Sequence, residues 1–204
     1  MAEWLPACFH ILEESNTHVK GYVTSEKDLE TVLEAHRRIT LCTFVYLHDD
    51  GKLREKSERR FFWKNTYLNK ETVPYCVKRT IFRQCQYGRK HRRNKEANKM
   101  APTDHNYKRG RRNSIQPSRK VDCSAKIAIR YFDTFPGYEL EATASRDKKE
   151  EKLCDLRHNL QSTDKAPTPE IKIFILLPLS DAHTNHTVSV ESGFSNRLHE
   201  KIIS

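Results

Sequence analysis

The chain has 204 residues, of which 36% are hydrophobic and 31% charged, and its formal net charge is +10. This apolar content is low for a chain that packs along its whole length, so we expect a folded core with other segments around it. No apolar run approaches the ~20 residues of a membrane-spanning helix, and the start of the chain lacks the basic region of a signal peptide. We therefore expect an intracellular protein whose six cysteines are free, buried or metal-bound rather than paired in disulfides.

The positive charge is confined to one stretch of the chain. Between Lys78 and Arg130 there are 17 Lys or Arg residues and three acids, against 37 and 27 in the whole sequence, so the remainder is slightly acidic. A focused positive field attracts polyanions, and nucleic acid is the commonest of these inside cells. A basic linker or a nuclear localisation signal has the same charge, so charge alone leaves these alternatives open.

The elements in chain order predict an α+β domain over residues 25–190, preceded by an N-terminal arm at residues 1–24. A helix is predicted after Ser25, which can cap it with Asp28 three residues later. Its apolar side chains recur at helical spacing. The aromatic run at 61–67 is expected to be sheet core rather than a base-stacking surface. Strands are predicted at 38–47, 59–68, 72–87 (as one or two strands), 121–132, part of 135–144, and 171–179.

Three further segments differ from this pattern. Residues 88–120 have almost no aliphatic side chains and are predicted to form a long mobile basic loop. Residues 145–165 are charged with a weak apolar stripe, which indicates an inserted helix on the periphery of the domain. Residues 191–204 are predicted to be a helical tail.

A pair of histidines, His183 and His186, directly follows the most apolar strand. Two imidazoles at a strand end can turn toward one point, and a structural zinc site needs two further thiolates or imidazoles. Cys85 closes a predicted strand and Cys123 opens another, so the four groups meet if these strands are neighbours. The spacing alone equally allows buried free cysteines and exposed histidines.

The order of these motifs resembles that of the WRKY-like, FLYWCH and mutator-transposase-derived zinc fingers. It is most similar to the calcium-responsive transcription factor-like and SWIM-type zinc-finger proteins. The segments that carry the resemblance are FRQCQYGRK, RKVDCSAKIAIRYF, FPGYEL and FILLPLSDAHTNH, which span about residues 38–190 in the same order. The resemblance implies a small antiparallel sheet of about four strands held by one structural zinc ion.

The family pattern implies that the zinc ligands are Cys85, Cys123, His183 and His186. Cys76 is the rival first ligand, nine residues before Cys85. Many relatives have His-x-His, whereas two residues separate the pair here. Three cysteines lie outside the matched motifs and are expected to be ordinary apolar residues or surface thiols: Cys8, Cys42 and Cys154.

The resemblance also implies that a strand edge beside the basic loop enters the major groove of double-stranded DNA. Arginine can form paired hydrogen bonds with guanine, and loop cations neutralise phosphates. The expected base-reading residues on strands are Arg79, Arg83, Lys126 and Arg130. The expected phosphate contacts in the loop are Arg89, Lys90, Arg92, Arg93, Lys108, Arg109, Arg111 and Arg112.

We therefore predict a nuclear, non-enzymatic DNA-binding module of a transcription regulator or of a transposon-derived protein. The sequence contains no HExxH motif and no acidic cluster suited to two-metal chemistry, so no enzyme is expected. Two alternatives remain open. One is an RNA-binding or protein-interaction module that uses the same basic loop, and the other is the N-terminal part of a transposase.

Overall fold

A computed structural model describes residues 3–50, 60–64, 72–89, 119–162 and 166–188. These residues form seven strands and two α-helices. None of the helices in these ranges is long and apolar enough to cross a membrane. The strands are β1 (His10–Glu14), β2 (His18–Val23), β3 (Phe44–Asp49), β4 (Phe61–Phe62), β5 (Tyr75–Cys85), β6 (Lys126–Thr134) and β7 (Glu170–Pro178), and the helices are α1 (Glu26–Thr40) and α2 (Arg146–Gln161).

The seven strands form one antiparallel sheet in the order β1-β2-β7-β6-β5-β3, and β4 pairs with the first residues of β5. The predicted α+β class is confirmed, but the expectation of about four strands is too low. Residues 10–23, expected to lie in an N-terminal arm, form β1 and β2. They were missed because β1 is exposed along its length and shows no alternation of apolar and polar residues.

Two other sequence-predicted strands differ from the structure. The run at 38–47 is divided, because α1 continues to Thr40 and β3 begins only at Phe44. Residues 136–138 form a 3₁₀ turn, and no strand follows before α2 begins at Arg146. The predicted helices after Ser25 and within 145–165 correspond to α1 and α2.

Helix α1 begins where its sequence predicts, but it continues to Thr40, into the run predicted to be a strand. The hydroxyl of Ser25 accepts a hydrogen bond from the backbone N–H of Asp28 at 3.1 Å, and acidic residues occupy the first turn. The buried residues Leu29, Val32, His36 and Thr40 recur at intervals of three or four, which places them on one face. The helix ends at Leu41, which adopts a left-handed conformation with φ 50°.

The main core lies between α1 and one face of the sheet. Alternate residues of β6 and β7, such as Ile129 and Ile173, pack there with Val32 of the helix. The opposite face carries a row of aromatic rings, one from each of six strands, with neighbouring centroids 4.8 to 5.7 Å apart. From β1 to β4 across the sheet the rings belong to His10, Tyr22, Phe174, Phe132, Tyr75 and Phe62.

Gly21 permits the close approach of β1 to β2. A Cβ atom at this position would lie 2.4 Å from the Phe9 ring and 2.5 Å from the carbonyl oxygen of His10. We expect Gly21→Ala to lower the free energy of unfolding by about 1–3 kcal/mol, because a buried ring and a backbone oxygen must both shift. Urea denaturation measures this. The matched control is Gly137→Ala, where an added Cβ meets nothing within 4 Å, and an equal loss there would contradict the steric explanation.

His36 joins α1 to the end of β7. Its Nε2 lies 2.7 Å from the carbonyl oxygen of Pro178, and the side chain is buried. Burial lowers the pKa of His36 below its usual value of 6.5, because the charged imidazolium is poorly solvated there. The folded protein therefore holds this histidine neutral, with Nε2–H donating to Pro178.

This lowered pKa predicts acid destabilisation. Below pH ~6.5 the unfolded chain takes up a proton that folded His36 does not, so stability present above that pH is lost as pH falls toward the folded pKa. The loss is at most about 1.4 kcal/mol per pH unit. The stability advantage of the wild type over His36→Gln should shrink between pH ~7.5 and ~5.5 in urea denaturation. A difference that stays constant with pH would contradict this assignment.

Candidate metal centre

Four potential metal ligands converge at one end of the central strands. Cys85 ends β5, Cys123 lies just before β6, and His183 and His186 follow β7. Because β5, β6 and β7 are antiparallel neighbours, the end of β5, the start of β6 and the end of β7 meet at the same end of the sheet. The topology therefore brings together residues about 100 positions apart.

The ligand atoms of these four residues all lie within 4.8 Å of one another. His183 Nδ1 is 3.2 Å from His186 Nε2. The Cys85 sulfur is 3.5 Å from His186 Nε2, and the Cys123 sulfur is 3.6 Å from His183 Nδ1. Both sulfurs and the His183 ring are buried, and His186 is half-buried.

These separations fit a tetrahedral zinc site. Zinc binds histidine nitrogen at about 2.05 Å and cysteine sulfur at about 2.3 Å. In a regular tetrahedron such bonds separate the two nitrogens by about 3.3 Å and each nitrogen from a sulfur by about 3.6 Å. The three nitrogen–nitrogen and nitrogen–sulfur separations given above match these values. Two thiolates with two neutral imidazoles also neutralise a divalent ion. The residues present therefore fit a structural Cys₂His₂ site.

The two histidine rings differ in the hydrogen bonding of the nitrogen that faces away from the other ligands. Nδ1 of His186 lies 3.2 Å from the carbonyl oxygen of Thr187, so a proton on Nδ1 leaves the Nε2 lone pair facing the other three ligands. His183 presents Nδ1 instead. Its Nε2 is buried and has no hydrogen-bond partner among the described residues, and Phe44 packs edge-on against the ring at 5.8 Å.

Backbone N–H groups stabilise both sulfurs as thiolates. The Cys85 sulfur accepts from Tyr87, and the Cys123 sulfur accepts from Ala125 and Thr184. Other contacts oppose ionisation. A hydrogen bond with Cys42, together with burial, raises the pKa of Cys85 to about 12. Burial raises the pKa of Cys123. In the absence of a metal ion both thiols are therefore protonated at neutral pH, and metal binding must release protons.

Two residues in the left-handed conformation shape the backbone around the ligands. They are Asp122 (φ 62°), which precedes Cys123, and Asn185 (φ 64°), which lies between the two histidines. Asn and Asp adopt this conformation more readily than other non-glycine residues. The Asn185 side chain donates to the carbonyl oxygen of Val121 at 2.9 Å. The two-residue spacer between the histidines therefore contacts the chain just before Cys123 through Asn185.

The candidate centre also lies where the two ends of residues 89–120, the basic segment, join the rest of the fold. Gly88 and Cys123 form an isolated bridge, and the carbonyl oxygen of Tyr87 accepts from the N–H groups of Val121 and Cys123 at 2.9 and 3.1 Å. Cys85 lies immediately before this junction and Cys123 within it. Both ends of the basic segment therefore lie beside the four ligands.

The structure distinguishes Cys85 from Cys76, the alternative first ligand. Cys76 is buried in a second cluster with Phe61, Phe135 and residues of α2, away from the histidines. Cys154 is exposed on α2. The prediction that Cys85, Cys123, His183 and His186 come together is confirmed, and they could hold a metal ion. The zinc identity of that ion stays a prediction.

The four strand residues expected to read bases do not share one surface. Lys126 and Arg130 alternate with core residues of β6 and so lie on the face opposite α1. Arg79 and Arg83 alternate on β5 with Phe82 and share the face of Ile81. Since β3 and β7 flank β5 and β6, neither strand provides the expected free edge.

Arg79 is already engaged within the fold. Its Nε and a terminal nitrogen donate to the two carboxylate oxygens of Asp49 at 3.1 and 2.8 Å, which lowers the pKa of Asp49 to about 2. The Nε of Arg83 is buried without a hydrogen-bond partner among the described residues.

Of the predicted loop contacts, only Arg89 lies in the described residues, where it is exposed. The others, Lys90, Arg92, Arg93, Lys108, Arg109, Arg111 and Arg112, lie outside them, as do most of the predicted loop at 88–120 and all of the tail at 191–204.

Several residues at the centre were missed by sequence reasoning. Phe44 packs against Cys85, Cys123 and His183, and Ser124 donates a backbone hydrogen bond to Thr184 Oγ1 at 3.1 Å. Cys42, which was expected to be an ordinary apolar residue or a surface thiol, is buried. Only the turn-forming character of Asp122 and Asn185 offered a signal in the sequence.

Comparisons with known proteins agree with the expected class of protein. The chain is similar to proteins named calcium-responsive transcription factor from Mus musculus and Homo sapiens, with 25% and 27% identity over 187 residues. The protein of that name from Bos taurus is 25% identical over 182 residues. These alignments cover 85% of this chain but only about a quarter of the relatives' length (24%, 23% and 24%). No solved structure matches the chain.

A family model described as "Amyotrophic lateral sclerosis 2 chromosomal region candidate gene 8" (ALS2CR8) matches residues 52–202. That range contains three-quarters of the chain and all four residues of the candidate centre. The chain therefore belongs to the ALS2CR8 family.

Proposed function

We propose that this chain is a zinc-stabilised module of a transcription regulator that binds double-stranded DNA through its basic segment. The observation that carries the proposal is the junction at the candidate centre, where Cys85 and Cys123 lie at the two ends of that segment. Between Arg89 and Lys120 the sequence has 12 Lys or Arg residues and two acids. One structural zinc ion bound at this junction would hold the two ends of the strongly cationic segment together.

Phosphate contacts supply most of the affinity in this proposal. Loop cations that neutralise DNA phosphates release counterions, which gives binding that weakens steeply with salt and carries little sequence information. Sequence reading needs ordered side chains near the loop. Lys126, which is exposed, and Arg89 meet this requirement, whereas Arg79 is held by Asp49.

The relatives support the regulatory part of the proposal. They are named transcription factors, and this chain aligns with about a quarter of their length. A module of a nuclear regulator is consistent with that partial coverage and with a basic segment that binds nucleic acid. We also propose that the module is related to the WRKY-like zinc fingers and that it has a transposon origin.

We also propose that the module is not an enzyme. The two cysteines and two histidines supply all four ligands of a tetrahedral zinc ion, so no open position remains for a reacting water molecule. The ion would act by holding three strand ends together. Hydrolysis of DNA by the purified chain with Mg²⁺ would contradict this part of the proposal.

Competition binding tests the choice of nucleic acid. Labelled duplex DNA is bound to the full chain at fixed salt and displaced with unlabelled duplex DNA, single-stranded DNA or RNA of equal length. We expect duplex DNA to compete best. Preferential displacement by RNA would favour the alternative of an RNA-binding module, and an absence of nucleic-acid binding would favour an acidic protein partner.

A further inference from the structure

An open cavity lies on the helix-covered face of the sheet, between the start of α1 and strands β5, β6 and β7. Its volume is about 580 Å³, which is within the range of roughly 300–1,000 Å³ for small-molecule sites. The residues that β5 and β7 contribute belong to the first half of each strand, whereas Cys85 and the two histidines follow the ends of these strands. The cavity is therefore separate from the candidate metal centre and from the ends of the basic segment.

Tyr131 presents a polar group to this cavity. The residue is 9% exposed and lines the cavity, and its hydroxyl group has no hydrogen-bond partner among the described residues. Burial raises the pKa of the Tyr131 hydroxyl, Glu26 raises it further, and Arg79 lowers it, so the hydroxyl lies near two charged residues of the cavity wall. A buried tyrosine hydroxyl usually has a hydrogen-bond partner. This one is available to a group that enters the cavity.

Two consecutive cations, Lys78 and Arg79, line the same cavity. Neighbouring residues of a regular strand point to opposite faces of the sheet. The pairing of β5 with β6 shifts register between Val77 and Arg79, so Lys78 lies in a bulge. A bulge redirects the side chains of its strand, which explains how both cations reach one cavity.

Both cations keep donors for a ligand. Asp49 holds the guanidinium of Arg79 beside the Tyr131 ring, 5.8 Å from the ring centroid. A guanidinium has more N–H groups than this ion pair uses. The Lys78 amine is 4.0 Å from the nearest carboxylate oxygen of Asp133, and the Lys78 side chain is 36% exposed. An ion pair this long and this exposed leaves the amine able to turn toward the cavity.

The start of α1 adds backbone donors. The first turn of a helix has N–H groups without intrahelical partners, and these attract anions. Ser25 accepts from the N–H of Asp28, but the N–H groups of Glu26 and Lys27 have no partner among the described residues. Glu26 is the only acid among the residues that line the cavity, and its side chain is exposed to water. The balance of charge and donors therefore favours an anion.

We propose that this cavity binds a small organic phosphate. The phosphate group lies between the start of α1, the Lys78 amine and the Tyr131 hydroxyl, because its several acceptor oxygens can use these donors together. The apolar part of the ligand packs against Ile171, which is 44% exposed, and against Ile173 beneath it. This inference depends neither on the proposed zinc ion nor on the proposed DNA binding.

The test measures the affinity of the full chain for phenyl phosphate by phosphorus NMR titration. Tyr131→Phe removes a single oxygen atom, and a hydrogen bond to a charged group accounts for about a tenfold change in affinity or more, so we expect at least a tenfold loss. Lys78→Gln should also bind more weakly. Tyr22→Phe makes the same change on the opposite face of the sheet and is the matched control, which should bind as the wild type does.

Further variants test the sign and the place of binding. Glu26→Gln should bind phenyl phosphate more tightly, since it removes the acid from the cavity wall, and weaker binding would indicate a cation site instead. A variant with four cations of the basic segment replaced by glutamine should bind as the wild type does: Lys108, Arg109, Arg111 and Arg112. Loss of binding in that variant would place the phosphate on the basic segment and overturn the inference.

Competition experiments identify the ligand class. Phenol, which has the same ring without the phosphate, should not displace phenyl phosphate, and benzoate should displace it less well than a second phosphate ester does. Displacement by duplex DNA would assign the cavity to the DNA interface and contradict a small ligand. Wild-type affinity in Tyr131→Phe, or a wild type that binds no phenyl phosphate, would overturn the inference and leave the proposed function untouched.

Discussion

Replacing Cys123 with serine is expected to abolish stoichiometric zinc binding and to lower the free energy of unfolding by more than about 4 kcal/mol. Cys123 is 3% exposed, contacts His183, and lies in the bridge that closes the base of the basic segment. Its loss removes one of the four proposed ligands and would leave a buried, incompletely coordinated site. Metal analysis after dialysis and urea denaturation measure the two effects.

The matched control is Cys76→Ser. Cys76 is equally buried, at 1% exposure, but packs with Phe61 and Phe135 beneath α2. This variant should lose stability through impaired packing and still retain one zinc ion per chain. Retention of zinc by Cys123→Ser, or loss of zinc from Cys76→Ser, would show that the ligands have been assigned wrongly.

Removing loop charge is expected to weaken duplex DNA binding more than any substitution in the sheet. The variant replaces four cations of the basic segment with glutamine: Lys108, Arg109, Arg111 and Arg112. Each phosphate contact contributes about −0.9 to the slope of log affinity against log salt concentration, so the slope should become shallower by about 3.6. Affinity at about 0.15 M salt should fall by roughly a hundredfold or more. Fluorescence anisotropy over a salt series measures both quantities.

A variant with the same net charge controls for nonspecific electrostatics. Helix α2 packs against Cys76, which lies at the opposite end of β5 from Cys85. The control variant replaces four cations of this helix with glutamine: Arg146, Lys148, Lys149 and Arg157. We expect its salt slope to stay close to that of the wild type. An equal reduction in both variants would mean that overall charge, and not the basic segment, determines binding.

The candidate centre was easier to predict from the sequence than the sheet around it. Cys85, Cys123 and the two histidines occur at strand ends in a family-like order, and those ends are neighbours in the structure. β1 and β2 were not predictable from local pattern. β1 is fully exposed, and β2 is stabilised by its pairing with β7, a contact between residues about 150 positions apart.

The strand residues expected to read bases do not share one surface, because side chains along a strand alternate between the two faces of the sheet. Arg79 and Arg83 lie on the face of Ile81, whereas Lys126 and Arg130 lie on the opposite face. That arrangement depends on the register between β5 and β6, which local sequence pattern does not give.

X-ray absorption at the zinc edge tests the central claim most directly, since it reports the atoms that surround the ion. For the purified full chain we predict two sulfur ligands at about 2.3 Å and two nitrogen ligands at about 2.0–2.1 Å, with one zinc ion per chain. A first shell of oxygen atoms, or a chain that binds no zinc, would contradict the account.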